Sequence, residues 1–493
     1  MLALYYLVLS ILAFYGFHRL VLLVIYLQTR NRGPERPADP ASWPVVTVQL
    51  PIFNERYVAG RLIDAVCNFD YPREQLEIQL LDDSTDDTRE RIAERVAHYR
   101  ALGFDISHLH REDREGYKAG ALAAGCKVAR GELITIFDAD FVPPPQFLRQ
   151  TVPYFKDEKL GVVQARWEHV NREYSLLTRA QAIFLDAHFL IEHQARNRAG
   201  HFFNFNGTAG IWRKQAITDA GGWEHDTLTE DLDLSYRAQL AGWQFLFVPE
   251  VTAPAELPVD VNAFKRQQFR WAKGSIQTAR KLLGRIMRSD LKWTGKLEAF
   301  VHLTNNCAYP LMILLSLLIF PVMLVRRHTT PQTLLAIDLP LFFGATIAVL
   351  LYYLLSQAVA GGRDQPAVRY LPVVMGLGIG LAVNNARAVI EGLHQQGGVF
   401  ERTPKYRIES KKDSWSGKRY RARPDSSVVI EALFAAYFTL SVALAFMLEM
   451  WWSLPFLYLF LHGYWYMLWL TLFGDRWSRW RHRGVVEVRE MGP

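Results

Sequence analysis

The sequence predicts an α/β domain with a mostly parallel sheet, joined to an α-helical transmembrane region with interfacial helices. Three observations predict it. Between residues 44 and 260, short runs rich in Val, Ile and Leu alternate with helical stretches. That strand, helix, strand rhythm specifies a parallel sheet covered on both faces. Outside it, one apolar segment near residue 1 and four beyond residue 300 have spanning length. Charge divides at the same boundaries: residues 44–260 hold 23 Lys+Arg against 33 Asp+Glu, whereas residues 261–300 hold 10 against 2. The net charge of +7 over 493 residues therefore joins two opposing balances. A basic pI then gives no reason to expect nucleic acid, because aromatic and basic residues are not interleaved on one soluble surface. With half of all residues apolar, a disordered or fibrous chain is excluded. Cys67, Cys126 and Cys307 form no C-x-x-C pair and have no histidine cluster nearby in sequence. That argues against a disulfide framework and a structural zinc site.

Residues 1–28 read as a transmembrane helix, Met1 to Leu27, with a basic flank at Arg30 and Arg32. A cleaved signal fits poorly, since no basic stretch precedes the apolar run and no small-x-small site follows. His18-Arg19 interrupts the run, with Arg19 about 12 Å inside Leu27 at about 1.5 Å per residue. Snorkelling toward the cytosol is expected for it, with a polar lining between helices as the alternative. In the 44–260 domain, Val45–Leu50, Ile78–Leu81, Ile106–Leu109 and Leu133–Phe137 read as strands. Glu55–Asn68, Asp87–Leu102 and Lys118–Ala129 read as helices between them. Residues 261–300 read as basic amphipathic helices lying on the membrane. Residues 301–360 hold two spans, Asn305–Val325 and Ile337–Val359, and residues 428–474 hold two more, Val428–Met450 and Leu454–Phe473. Within residues 370–427, Tyr370–Leu393 carries Pro372, three glycines and a polar end, Asn384 to Arg387. Counting it as a span would put the loop Glu401–Arg423, with nine Lys/Arg against three Asp/Glu, outside the cell. The positive-inside rule assigns such a loop to the cytoplasm, so Tyr370–Leu393 is read as interfacial. The expectation is five spans, a cytoplasmic 44–260 domain and a basic cytoplasmic tail at 475–493. Arg326-Arg327 on the outer loop count against this topology.

Ligands of open α/β sheets bind beyond the carboxyl ends of the strands, and there the polar motifs fall. Pro51-Ile52-Phe53-Asn54-Glu55 follows the first strand and Asp82-Asp83-Ser84-Thr85-Asp86 the second. Either could hold a base or ribose, although the second also suits a helix cap. Asp138-Ala139-Asp140 ends the fourth strand. Carboxylates at i and i+2 there can converge on one hard cation, Mg²⁺ or Mn²⁺, bridging a diphosphate. Thr229-Glu230-Asp231 opens a helix, where the acids suit the positive end and Asp231 has the chemistry of a general base. Gln267-Gln268-Phe269-Arg270-Trp271 places a cation beside an indole on a helix, which also suits a membrane-interface anchor.

These motifs, in this order, resemble the processive family 2 glycosyltransferases of the cellulose-synthase superfamily over Val45 to Lys273. The family's acidic pair, D-x-D, T/S-E-D and Q-x-x-R-W are matched by Asp82-Asp83, Asp138-Ala139-Asp140, Thr229-Glu230-Asp231 and Gln267 with Arg270-Trp271. Gly116 to Ala121, Gln164 to Trp167 and Phe205 to Gly210 are most similar to the cellulose-synthase-like branch that makes β-mannan or a β-glucan backbone. Phe400-Glu401-Arg402-Thr403-Pro404-Lys405 stands where the family has an F-x-V-T-x-K gating loop, with Arg402 in place of the valine.

The resemblance implies a GT-A-like nucleotide-diphospho-sugar transferase fold and an inverting, metal-dependent hexosyltransferase using UDP-glucose or GDP-mannose. It would extend, and could translocate, a β-linked glycan from the cytoplasmic face of a plasma or Golgi-type membrane. Asn54, Glu55 and Asp83 would face the nucleoside. Asp140, with Asp138, would hold Mg²⁺ or Mn²⁺ on the diphosphate, while Lys118 and Arg270 add positive charge. Asp231 would deprotonate the acceptor, and Trp271, Gln267, Phe205, Asn206, Gly207 and Thr208 would form the acceptor platform. A non-processive enzyme making a glycolipid on ceramide or diacylglycerol is the alternative. A transporter or scaffold is disfavoured by the lack of paired broken helices and of a P-loop. Whether the chain forms a homo-oligomer is open.

Overall fold

The computed structural model describes residues 1–327, 331–361, 367–422 and 426–490, with side chains throughout except at 331–336, 367 and 475–490. Seven strands form one mixed sheet: β1 (Val46–Ile52), β2 (Leu76–Asp82), β3 (Asp105–His110), β4 (Leu133–Ile136), β5 (Leu160–His169), β6 (Gly210–Arg213) and β7 (Gln244–Ala255). Their order is β3-β2-β1-β4-β6-β5-β7. The four strands expected from the sequence are the parallel half. The remaining three extend it past a single antiparallel strand, β6, which pairs with both β4 and β5. The domain is thus the mostly parallel GT-A-like sheet that the motifs implied.

The central strands are buried on both faces, which explains their unbroken Val/Ile/Leu character. One face packs Val48, Leu50, Ile78 and Leu80 against helices Ala59–Cys67 and Thr88–Ala101. The other packs Ile134, Ile136 and Trp212 against helix Tyr117–Val128. Polar residues inside this sheet are paired across strands. Thr47 Oγ1 donates to Glu77 Oε2 at 2.5 Å, and Gln49 Nε2 to Gln79 Oε1 at 3.0 Å. β1 and β2 run in register to Ile52 opposite Asp82, so the loops after them leave the sheet side by side.

Among the described residues, five helices are long and apolar enough to cross a membrane: Leu2–Thr29, Trp293–Arg326, Ile337–Val359, Ser427–Met447 and Trp451–Gly474. The final helix continues to Glu490, through most of what the sequence reads as a tail, and residues 491–493 lie outside the described residues. Arg423, at the end of the basic loop, does too. Tyr370–Leu393 is two helices, Leu371–Gly380 and Ala382–His394, and its bent pair of 40° makes a sixth candidate if taken as one span.

Two expectations change. The basic stretch after residue 260 is a 28-residue helix, Val261–Arg288, whose Asp260 cap accepts from the Asn262 and Ala263 backbone N–H groups. Its lysines are held within the protein rather than presented to lipid. Lys265 pairs with Glu431 at 2.5 Å, Lys273 with Glu391 at 3.1 Å, and Lys281 with Asp226 at 2.8 Å. The cause is packing: glycine at 392 lets helix Ala382–His394 press on the backbone at Lys273, where a Cβ would come within 2.8 Å of its carbonyl oxygen. Likewise His18 and Arg19 do not snorkel. His18 Nε2 lies 2.7 Å from Glu298, and Arg19 pairs with Glu192 while covering the Tyr352 ring. Acids on neighbouring elements neutralise them at lower cost than reaching for water.

Candidate active site

The loops after β1, β2 and β4 converge with the Tyr117–Val128, Glu230–Leu240 and Val261–Arg288 helices around one pocket. Glu55, Asp83, Lys118, Asp138, Asp140, Asn206, Gly207, Asp231, Gln267, Arg270 and Trp271 all line it. Three residues expected there do not. Asn54, in the left-handed region at φ 54°, accepts from the Thr85 N–H through Oδ1 at 2.9 Å and so ties the first loop to the second. Phe205 is wholly buried against Trp212. Thr208 is wholly buried too, its hydroxyl accepting from the Asp138 N–H at 2.9 Å. None of the three lies in a strand; Asn54 follows β1 and Phe205 and Thr208 precede β6, and the contacts just given turn these side chains from the pocket.

Asp83 is gripped by both arms of Arg111, at 2.8 and 2.6 Å, which fixes its carboxylate at the pocket rim. Beside it, the Arg114 guanidinium lies 3.4 Å from the centre of the Phe53 ring. Lys118 Nζ donates to Asp138 Oδ1 at 2.5 Å and to the Gly207 carbonyl at 2.9 Å. Burial disfavours its charge, but Asp138 and Glu230 more than offset this and raise its pKa.

Across the pocket, Asp231 Oδ1 accepts from the Leu232 N–H at 2.8 Å. Burial and the adjacent Glu230 raise the Asp231 carboxyl to about 7, against the pull of Lys118. Gly207 makes this arrangement sterically possible: at φ +80° it leaves bare a spot where a Cβ would sit 2.9 Å from Asp231 Oδ2.

Asp138, Asp140 and Glu55 line the same pocket, each beside a cation. Burial raises Asp138, as does Asp140, and burial raises Glu55 to about 7 despite Arg402 at 3.0 Å. That contact is made by Glu55 Oε2, which meets Arg402 Nη1. Clustered hard oxygen donors suit a divalent cation, so the residues present fit Mg²⁺ or Mn²⁺. In this structure Asp140 Oδ2 instead meets Lys405 Nζ at 2.6 Å, and the same ammonium bonds the Glu256 carbonyl. Arg270 donates to the Glu401 carbonyl at 2.8 Å and covers the Phe400 ring, so it holds this loop as well as lining the pocket.

Reading along the chain missed Arg114, Glu230, Glu256, Arg402 and Lys405 as pocket-lining residues and Arg111 as the clamp on Asp83. The signal for Arg402 and Lys405 was the Phe400–Lys405 motif itself. Asn206 Oδ1 and Trp167 Nε1, both on the pocket, are buried without hydrogen-bond partners, as expected where a polar ligand binds. The cavity measures about 170 Å³, against roughly 300–1,000 Å³ for a typical ligand pocket. The Phe400–Lys405 loop takes up part of the space.

A family model described as "Glycosyltransferase like family 2" matches residues 44–274. Among curated proteins, glucomannan 4-beta-mannosyltransferase 7 of Arabidopsis thaliana is 36% identical over 364 residues, which is 70% of this chain and 65% of that protein. Glucomannan 4-beta-mannosyltransferase 1 of Oryza sativa subsp. japonica is 44% identical over 254 residues, 50% of this chain and 49% of that protein. The chain thus spans less than two thirds of the length of these relatives. Among solved structures, the mannosyltransferase PcManGT from Pyrobaculum calidifontis, in complex with GDP-Man and Mn²⁺, superposes with a TM-score of 0.53 at 19% identity. That match covers 79% of this chain and 99% of the other, and at such identity it establishes a shared fold.

Proposed function

Residues 44–274 form a glycosyltransferase family 2 domain, and we propose that the chain is a membrane-embedded inverting mannosyltransferase that extends a β-linked mannan from GDP-mannose. The observation that carries this reading is one pocket that holds Asp231 together with the Glu55, Asp138 and Asp140 carboxylates. A base and a diphosphate site are what a single displacement at an anomeric carbon needs. The glucomannan mannosyltransferase relatives and the GDP-Man-bound neighbour favour mannose over glucose as the donor sugar.

In the proposed mechanism, Asp231 accepts the proton of the acceptor hydroxyl as that oxygen attacks the anomeric carbon from the face opposite the nucleotide. Inversion follows, because no protein nucleophile intervenes, and an α-linked donor gives a β-glycoside. Gly207 leaves room for the acceptor beside Asp231, and the Trp271 face packs against the C–H face of a sugar ring. Asp138 and Asp140 would hold Mg²⁺ or Mn²⁺, which supplies positive charge to the departing diphosphate. Lys118 adds charge from the side of Asp138. Lys405 must leave Asp140 before that site can fill, so withdrawal of the Phe400–Lys405 loop both vacates the ligand and enlarges the pocket. In this reading the sheet domain faces the cytoplasm, which the basic loop after residue 400 supports through the positive-inside rule.

The test is product analysis. Membranes carrying the chain are incubated separately with labelled GDP-mannose and UDP-glucose, and the product is digested with linkage-specific mannanases and glucanases. A high-mass, mannanase-sensitive product from GDP-mannose is expected. Label recovered only in a lipid extract would replace this reading with a single-addition glycolipid enzyme.

A further inference from the structure

Asp82 and Asp83 are adjacent, but only Asp83 lines the pocket. Asp82 serves a different cluster. His108 and His110 are two apart on β3 and so share a face of the sheet. The parallel register sets Leu80 beside His108 and Asp82 beside His110, which brings the Asp82 carboxylate to the same face.

The three side chains meet. His108 Nε2 is 2.8 Å from Asp82 Oδ2, His110 Nδ1 is 3.5 Å from that same oxygen, and one ligand atom from each residue lies within 4.8 Å of the others. Asp82 Oδ1 is taken by the Ser84 N–H at 2.9 Å. Nδ1 of His110, by contrast, is buried and makes no hydrogen bond. A buried acceptor or donor without a partner is costly, and here it is aimed at a carboxylate and a second imidazole.

We infer that Asp82, His108 and His110 form a second metal site, of the zinc class, that braces the pocket rim. Zinc with ligands at about 2.0–2.1 Å in a tetrahedron separates them by roughly 3.3–3.4 Å. The observed 2.8 and 3.5 Å lie within about half an ångström of that edge. Two imidazoles and one carboxylate suit Zn²⁺ and disfavour Mg²⁺, which distinguishes this site from the all-oxygen group at Asp138 and Asp140. Three protein ligands leave a fourth position for water. The imidazoles are 16% and 18% exposed, which gives an ion a way in. The scarcity of cysteine spoke against structural zinc, but strand pairing assembles a cysteine-free site that composition cannot show. The next residue, Arg111, donates its N–H to the Asp82 carbonyl at 3.1 Å and grips Asp83 with its guanidinium. Metal that fixes His110 and Asp82 therefore fixes the clamp that presents Asp83. The binding itself stands whichever donor sugar the enzyme uses.

The full chain, purified in detergent and stripped with chelator, is exposed to Zn²⁺ under excess Mg²⁺, desalted, and its zinc counted by mass spectrometry. About one equivalent is expected for the parent and for Asp140→Asn, and none for the His108→Gln/His110→Gln double variant. Zn²⁺ should also raise the melting temperature of the parent and leave that of the double variant unmoved. Equal zinc in parent and double variant, or none in the parent, overturns the inference. If the double variant does not fold without metal, His110→Gln alone replaces it, since its Nδ1 makes no hydrogen bond to lose.

Discussion

Two regions of this molecule bury charge, and they do so in opposite ways. Where the first helix meets the sheet domain, Arg196 is 1% exposed, with Nε on Glu298 at 2.8 Å and Nη1 on Glu192 at 3.2 Å. His18 completes Glu298, while Arg19 and the Tyr352 hydroxyl complete Glu192. The two carboxylates accept from basic side chains and a phenol on three separate elements. In the active-site pocket the acids Glu55, Asp138, Glu230 and Asp231 are all raised, with burial as the main cause, and Asn206 Oδ1 and Trp167 Nε1 are left without hydrogen bonds. A charge cluster that holds elements together is completed within the protein, whereas one that does chemistry leaves donors and acceptors for what binds later.

The sharpest way to break this contrast is to neutralise one member of the unfinished cluster. Asp231→Asn keeps the shape, and the Leu232 N–H still finds a side-chain oxygen. Transfer should fall by about 10²–10⁴, the range general-base loss typically costs, while donor affinity in a binding assay stays near that of the parent. Near-parent sugar incorporation by this variant would remove Asp231 from its role. The same group sets the pH dependence. A base must be ionised, and burial holds this carboxyl at about 7, so the rate should drop about tenfold per pH unit once pH falls below that value. A profile flat from pH 8 to pH 5 would count against the assignment.

The completed cluster should answer in stability. Arg196→Met removes the cation shared by Glu192 and Glu298 and leaves two buried carboxylates short of a partner. Breaking one side of a buried pair costs about 3–5 kcal/mol, which thermal unfolding in detergent would read as a large drop in melting temperature. Asp231→Asn, in the same assay, should unfold no earlier than the parent, because it relieves a buried charge. If both variants unfold alike, the two clusters are not different in kind.

What the sequence made legible follows the range of the interactions involved. The parallel strands could be read because each is a self-contained Val/Ile/Leu run, and Asp138 and Asp140 because strand-end carboxylates two apart are a local pattern. β5 to β7 were not read: β6 has only four residues, and β7 carries Pro249 and Pro254 and pairs with β5 through register shifts. Phe205 and Thr208 sit beside Asn206 and Gly207 in sequence yet face away from the pocket, a matter of backbone direction that composition does not carry. The partners of His18 and Arg19 lie 280 and 173 positions away, and no window along the chain connects them. The same holds for Lys405, which meets Asp140 across 265 positions.

That last contact gives the subtlest test of the comparison, because it closes one carboxylate of the unfinished cluster from within. With Nζ at 2.6 Å from Asp140 Oδ2, Lys405 supplies the positive charge that a divalent ion would otherwise bring, and the two compete for one carboxylate. Lys405→Gln keeps most of the side-chain length and removes the charge. Freed of its competitor, the Glu55, Asp138 and Asp140 group should bind Mn²⁺ about tenfold more tightly, equivalent to about 1.4 kcal/mol. The change should appear in a direct Mn²⁺ titration by electron paramagnetic resonance without donor, and as a lower half-activating Mn²⁺ concentration during transfer. Asp140→Asn should lose Mn²⁺ in the same titration, which ties the gain to that carboxylate. Unchanged Mn²⁺ affinity in Lys405→Gln would mean that the loop only covers the pocket and that its lysine does not hold the metal site shut.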